Sequence, residues 1–295
     1  MISVLICSIH PELLSNVQKN IRETIGVPFE ILFVDNRNDK KGICEVYNGL
    51  AQKAKYPYLC FLHEDVLLRT QNWGVEILNT FSKDEAIGLI GIAGSKYKSA
   101  YFSGWYSGVK MLDCGNYIHQ YRAGSEHVFL SPSGTKISEE VVCIDGVMMC
   151  CKKEVWEQTL FDEKLLKEFH FYDIDFSLCV SRHYKVMVTY DIDLVHITTG
   201  GDYSNNWVET AILFHKEKKT ELPFSKIDLN QHEIDNRVII KTMDHLKNYK
   251  ISFRNKKRWI VLQKLYLNPL FYYSILKFML YQPLGLRKIH FKSKK

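Results

Sequence analysis

The sequence predicts an α/β fold: a Rossmann-like, mostly parallel sheet flanked by helices, with a helical basic extension at the C-terminus. Three observations carry this. Apolar runs of strand length alternate with amphipathic helical patterns through the first hundred residues. Hydrophobic residues make up 46% of the 295, enough to bury a large core. The apolar runs also stop abruptly at polar and charged residues, as strands do where they reach a binding edge.

The elements follow in order. "ISVLICSI" (2–9) is a continuous apolar run of the kind buried on both faces of a sheet. Leu14, Val17, Ile21 and Ile25 then share one helical face. "FEILFV" (29–34) reads as a second buried strand, and Ile43, Val46, Tyr47, Leu50 and Ala54 mark a second amphipathic helix. "YLCFL" (58–62) and "IGLIGIA" (87–93) supply two further strands. Strand–helix alternation of this kind implies right-handed crossovers. Beyond Gly94 the regularity fades, and "SAYFSGWYSG" and "SPSGTK" read as loops or short irregular strands. "VVCIDGVMMCCKKEVW" restores a strand and a helix start, a helix begins near Asp173, and "YKVMVTYDIDLVHI" gives two strand-like pieces ending at His196. "GGDYSNNW" (200–207) reads as a loop.

Composition narrows the function classes. The eight cysteines form no CxxC pair, so disulfides and structural zinc are not expected, and reduced thiols suit a cytoplasmic setting. There is no basic n-region with a cleavage site, and no uncharged apolar run of spanning length. The net charge of +6 is uneven: residues 254–295 hold eleven Lys or Arg and no acid, leaving 28 basic against 33 acidic residues elsewhere. Basic clusters among large apolar residues, interrupted by Lys264, Asn268, Pro269 and Lys277, suit an in-plane segment on an anionic membrane surface. A helix pair packed on the main domain with a solvated basic face is the competing reading. No motif for nucleic acid occurs.

The chemistry should lie where strands end. The first run closes in "CSIHP", the second in "VDNRN", the third in "LHED", so polar groups gather at one sheet edge, the footprint of a nucleotide site. Neither GxGxxG nor GxxxxGK[ST] is present in the sequence, so a diphosphate needs another anchor. His63 and Asp65, two apart on an extended segment, point to one side and could hold a divalent cation that in turn holds the diphosphate. Glu64 points the other way and reads as structural.

The series "SVLICSIHP", "ILFVDNR", "GICEVYNGLAQKAKYPYLCFLHED", "IDGVMMCCKKEVWEQTLFDE", "FYDIDFSLCVSRHYKVMV" and "DLVHI" resembles the GT-A fold glycosyltransferases of the family 2 type. Within them it is most similar to a bacterial subgroup with His-x-Asp in place of Asp-x-Asp. The resemblance spans about residues 1–220 and implies roles. Ser8, Ile9 and His10 would cradle the nucleoside, and Asp35 and Asn36 would contact base and ribose. Gly42 and Asn48 would open and line the following helix. Asp65 would be the metal carboxylate, completed by His196. Asp145 and Gly146 would form the turn against the transferred sugar, and Asp173 would be the base. The resemblance leaves His63 a direct ligand, a water-mediated ligand or a diphosphate contact. Tyr172 replaces the Glu that often precedes the base, which leaves Asp173 and Asp175 both open. Trp105, Tyr106 and Trp207 could stack on sugar rings but more simply pack.

The function expected is an inverting glycosyltransferase using Mn2+ or Mg2+. Its donor would be a nucleotide sugar, a UDP-sugar first, and its acceptor a glycan or lipid-linked hydroxyl. It would serve bacterial surface polysaccharide synthesis at the inner face of the cytoplasmic membrane. The expected division is a 1–220 catalytic domain (1–110 binding nucleotide sugar, 111–220 binding acceptor) and a 221–295 extension. Two alternatives compete: a nucleotidyltransferase, against which "SIHPELLSN" lacks a Gly-rich basic loop, and a non-catalytic nucleotide-sugar-binding scaffold.

Overall fold

The computed structural model describes residues 1–121, 126–130, 137–198 and 203–281. The expected "SPSGTK" loop, residues 200–202 of "GGDYSNNW" and the last fourteen residues of the tail lie outside that set. In chain order the elements are β1 (Ile2–Ser8), α1 (Pro11–Thr24), β2 (Phe29–Asp35), α2 (Ile43–Lys53), β3 (Tyr58–Leu62), β4 (Val66–Leu68), α3 (Trp73–Lys83) and β5 (Ile87–Gly91). Short strands follow: β6 (Ala93–Ser95), β7 (Tyr97–Lys98), β8 (Asp113–Tyr121), β9 (Glu126–Leu130), β10 (Ser138–Val141), β11 (Cys143–Ile144) and β12 (Met148–Lys152). The chain continues through α4 (Lys153–Gln158), α5 (Tyr172–Ser181), β13 (Lys185–Thr189), β14 (Leu194–Thr198), α6 (Asn205–Glu217), β15 (Phe224–Ser225), α7 (Gln231–Leu246), α8 (Phe253–Leu262) and α9 (Tyr272–Leu280).

The main sheet has the order β10-β13-β5-β12-β3-β1-β2. Its apolar runs are continuous because both faces are covered. Leu5, Phe61, Leu89 and Met149 face α2, α5 and α6, while Val4, Ile6, Cys60, Ile90 and Cys150 face α1 and α3. The sheet is mostly parallel, as expected, with β1, β2, β3, β5 and β13 running the same way, while β12 runs antiparallel to both β3 and β5, and β10 antiparallel to β13. Apolar periodicity carries no strand direction, so the sequence could not show these reversals. One expectation changes. The second strand, expected to be buried, is the sheet edge; with one neighbour only, it leaves Phe33 49% exposed.

A second sheet, β11-β6-β8-β14-β4, was not foreseen. The chain passes between the two sheets within a few residues at five places: from β3 to β4, from β5 to β6, from β10 to β11, from β11 to β12 and from β13 to β14. The crossings are stitched together by the His63 N–H donating to Val147 O (3.1 Å) and the Asp145 N–H donating to Ala93 O (2.9 Å). "HED" and "DGV" are therefore neighbours at one seam.

The C-terminal helices close over the α2/α5 side. Trp259, Leu265, Phe271 and Phe278 are buried in the same hydrophobic cluster as Leu5 and Phe61, so one core runs across the boundary expected near residue 220. The Trp259 indole donates to Phe102 O (3.2 Å), and the Phe102 N–H to Gln263 Oε1 (2.7 Å). Trp207, expected in a loop, is buried in α6 against Phe171.

Candidate active site

The first part of the site is the end of β1. Ser8 lies opposite Asp35, where β1 and β2 both end, and β3 ends at Leu62 opposite Ile6, two residues short of that level. Just beyond, the buried Glu64 carboxylate gathers the chain end. It accepts from Ser8 Oγ (2.5 Å), from the Ile9 and His10 backbone N–H groups (3.2 and 3.1 Å), and pairs with His10 Nδ1 (2.8 Å). The structural reading of Glu64 holds, and its job is specific: it fixes Ser8–His10. The Ile9 side chain itself is 52% exposed.

The second part is the seam. β4 begins directly after Asp65, and β14 pairs with it antiparallel with His196 opposite Val66. The Ile197 N–H donates to Asp65 O (2.7 Å). This pairing carries His196 across 130 residues of sequence to Asp65, where Nε2 lies 3.2 Å from Oδ1. His63 Nδ1 is 3.8 Å from the same oxygen. One ligand-capable atom from each of His63, Asp65 and His196 falls within 4.8 Å of the others. Two imidazoles and one carboxylate are a sound donor set for a borderline divalent ion.

Tyr172 orients this set. Its hydroxyl lies 3.2 Å from Gly146 O and 2.9 Å from His63 Nε2. A carbonyl cannot donate, so a Tyr172 proton given to Gly146 requires His63 to carry its own proton on Nε2. That leaves the Nδ1 lone pair facing the Asp65 carboxylate, an arrangement a cation between them makes favourable. Burial lowers the His63 pKa, which keeps the ring neutral. Burial also acts to raise Asp65, but the hydrogen bond and charge of His196, with His63, outweigh it and hold the carboxyl below its usual range. His196 is the converse: Asp65 raises it against the burial that would lower it.

The third part is the "DGV" turn and the start of α5. Asp145 Oδ1 accepts from the Val147 N–H (2.9 Å) and Oδ2 from the Trp105 indole (2.6 Å). Gly146 gives its N–H to Asp173 Oδ2 (2.9 Å). A Cβ on Gly146 would sit 2.1 Å from the Tyr172 hydroxyl, so the turn admits no side chain. Asp173, second residue of α5, is pushed up to about 7, first by burial and then by the charge of Asp145, while its bonds to the Ile174 and Gly146 N–H groups oppose the rise. A carboxyl poised there can take a proton near neutrality.

Not every expected residue meets the strand edge freely. Asp35 forms a bidentate pair with Arg37 (2.6 and 2.8 Å) on the surface. Asn36 donates its N–H to Ser8 O (2.7 Å) and braces the loop to Lys41 with its side chain. Gly42 caps α2 against Lys167, whose carbonyl a Cβ would approach to 2.4 Å. The Asn48 amide donates to Phe161 O and Glu163 and accepts from the Trp156 indole and the Phe161 N–H, which uses both its donors and its acceptor lone pairs on protein. Asp175 is buried and pairs with Lys218 (2.8 Å), whereas Asp173 faces Gly146. Sequence reasoning weighed Trp105 only as a stacking or packing aromatic and did not foresee its bond to Asp145, nor those of Tyr172 to His63 and Gly146. Only the departure at Tyr172 from the family's usual Glu hinted at the second.

A family model described as a glycosyltransferase-like family matches residues 3–222. The chain belongs to that family. The match runs from β1 through α6 and so contains every residue of the seam. Curated proteins give no match. Among solved structures, the chain is similar to GalNAc-T7 with UDP, GalNAc and Mn2+, at 14% identity and a TM-score of 0.49, over 92% of this chain and 58% of that one. It is also similar to the mannosyltransferase PcManGT from Pyrobaculum calidifontis with GDP-Man and Mn2+, at 10% identity and a TM-score of 0.49, over 94% and 84%. This family member thus spans under two thirds of the first of these structures.

Proposed function

We propose that this chain is an inverting, metal-dependent glycosyltransferase that moves a sugar from a nucleoside diphosphate to a hydroxyl. The observation that carries the reading is the meeting of His63, Asp65 and His196 at the seam, with the Asp145–Gly146 turn between them and Asp173. A divalent cation held there would supply positive charge against the diphosphate as it leaves. A mixed nitrogen and oxygen donor set favours Mn2+ over Mg2+, which prefers oxygen ligands.

The chain's own residues do the rest. Ser8–His10, fixed by Glu64, and Asp35–Asn36 take the nucleoside, with a UDP-sugar as first expectation. Gly42 and Asn48 shape the adjoining wall. Asp145 and Gly146 face the sugar, with the Trp105 indole setting the Asp145 carboxylate. Asp173 receives the proton of the acceptor hydroxyl as it attacks. With one base and one metal centre flanking the sugar turn, a single in-line displacement inverts the anomeric carbon. The His-x-Asp variant, a glycan or lipid-linked acceptor, a role in bacterial surface polysaccharide synthesis and peripheral attachment to an anionic membrane through 254–295 belong to the same reading. Among the described residues, no helix is long and apolar enough to cross a membrane.

Thermal melting with UDP, GDP or CDP, with and without Mn2+, tests it. One nucleotide should raise the melting temperature only in the presence of the metal. If no nucleotide does so, the proposal fails.

A further inference from the structure

The outward face of the C-terminal helices has the wrong polarity for water. In α9, Tyr272, Tyr273, Leu276 and Leu280 share one continuous arc with Lys277, while Phe278 points inward. Tyr273 is 69% and Leu280 71% exposed. The preceding turns add Leu267, at 65%, and Leu270. Of the 23 exposed large hydrophobic residues among the described ones, eleven fall between Phe253 and Tyr281. That concentration on a soluble surface marks a contact face.

The charged residues carried by these segments are of one sign. Arg254, Lys257 and Arg258 line the outer side of α8, and Lys264 and Lys277 flank the apolar turns. No acid occurs from 254 onwards. The buried Lys256 is separate: it donates to Phe278 O and Tyr281 O and ties α8 to α9. The face is also firmly mounted. Trp259 and Gln263 grip Phe102, three residues before Trp105, whose indole holds Asp145.

We propose that this face, the exposed side of α8, the turns after it and α9, docks in plane on an anionic lipid surface. Leucines and tyrosines enter the acyl boundary and the five cations meet headgroup phosphates. This rests on the peripheral-membrane reading above and on nothing in the transfer chemistry. It narrows that reading from a stretch of sequence to one side of a folded unit. Docking there would hold the site wall at a fixed height above the bilayer, suited to an acceptor that is itself lipid-linked.

Co-sedimentation of the full chain with phosphatidylcholine vesicles, with and without phosphatidylglycerol, tests the proposal. The unaltered chain should bind the anionic vesicles. Replacing Leu267, Leu270, Leu276 and Leu280 together by Ser should lower partitioning by about tenfold or more. Changing Arg254, Lys257 and Arg258 to Gln should remove the preference for phosphatidylglycerol. These side chains are exposed, so unchanged melting of both variants serves as the folding control. If the unaltered chain binds but the Leu→Ser variant binds equally, this face is wrong and the membrane reading survives. If the unaltered chain binds neither vesicle, both fall. A dimer in sedimentation velocity that the Leu→Ser variant breaks, without vesicle binding, would assign the face to a second copy of the chain and overturn the proposal.

Discussion

Asp173 and Tyr172 are adjacent and do opposite things, because one carboxyl meets the Gly146 N–H and one hydroxyl meets the Gly146 carbonyl. With its pKa raised to about 7, Asp173 passes from mostly protonated to mostly ionised as pH rises through neutrality. Transfer under substrate-limiting conditions should therefore climb with pH through about 7 and then level off. Asp173→Asn should keep donor binding, read by calorimetry, and lose turnover. The stability sign runs the other way. Between its ordinary value of 3.8 and about 7 the unfolded chain releases this proton and the folded chain keeps it, so the carboxyl weakens the fold as pH rises through that window. The melting temperature of Asp173→Asn relative to the unaltered chain should be higher at pH 8 than at pH 4. Tyr172→Phe removes the partner of His63 Nε2 and should weaken Mn2+ binding by about tenfold, measured by electron paramagnetic resonance titration. Asp65→Ala should abolish metal-dependent nucleotide affinity, and an unchanged calorimetric titration with Mn2+ would count against the centre.

Among the elements, the short crossings between sheets decide what meets what. "HED" was legible as a strand end bearing an imidazole and a carboxylate, and its alternation told His63 and Asp65 from Glu64. What Glu64 touches was not legible, since its four partners sit some 55 residues away at the end of β1. Glu64→Ala leaves the Ser8 hydroxyl and two backbone N–H groups without their acceptor. It should cost about 3 kcal/mol in urea denaturation, together with weaker nucleotide binding. His196 was legible only by resemblance, because its approach to Asp65 depends on the β4–β14 register, and three-residue strands such as β4 leave almost no periodic signal. Asn48 shows the same limit from the other side. Its place in α2 was readable, yet its amide partners lie in α4 and beyond it.

For the whole molecule, the question is whether the C-terminal helices are an appendage. Trp259, fully buried and bonded to Phe102, answers that they are part of the core. Trp259→Ala should lower stability by about 4 kcal/mol, and melting should remain a single transition shared with the rest of the chain. Two separate transitions would mean the extension folds on its own. Apolar alternation, the polar strand ends and the charge run of the tail determined by themselves the α/β class, the polar edge of the sheet and the basic character of one end. Each is a local pattern, set by residues within a few positions of one another. The direction of β12, the second sheet, the partners of Tyr172 and Trp105, and the way α9 buries Phe278 yet exposes Tyr273 and Leu280 were decided only by tertiary structure. Those depend on which distant segments pack together, and a hydrophobic side chain in a sequence does not say whether another part of the chain will cover it.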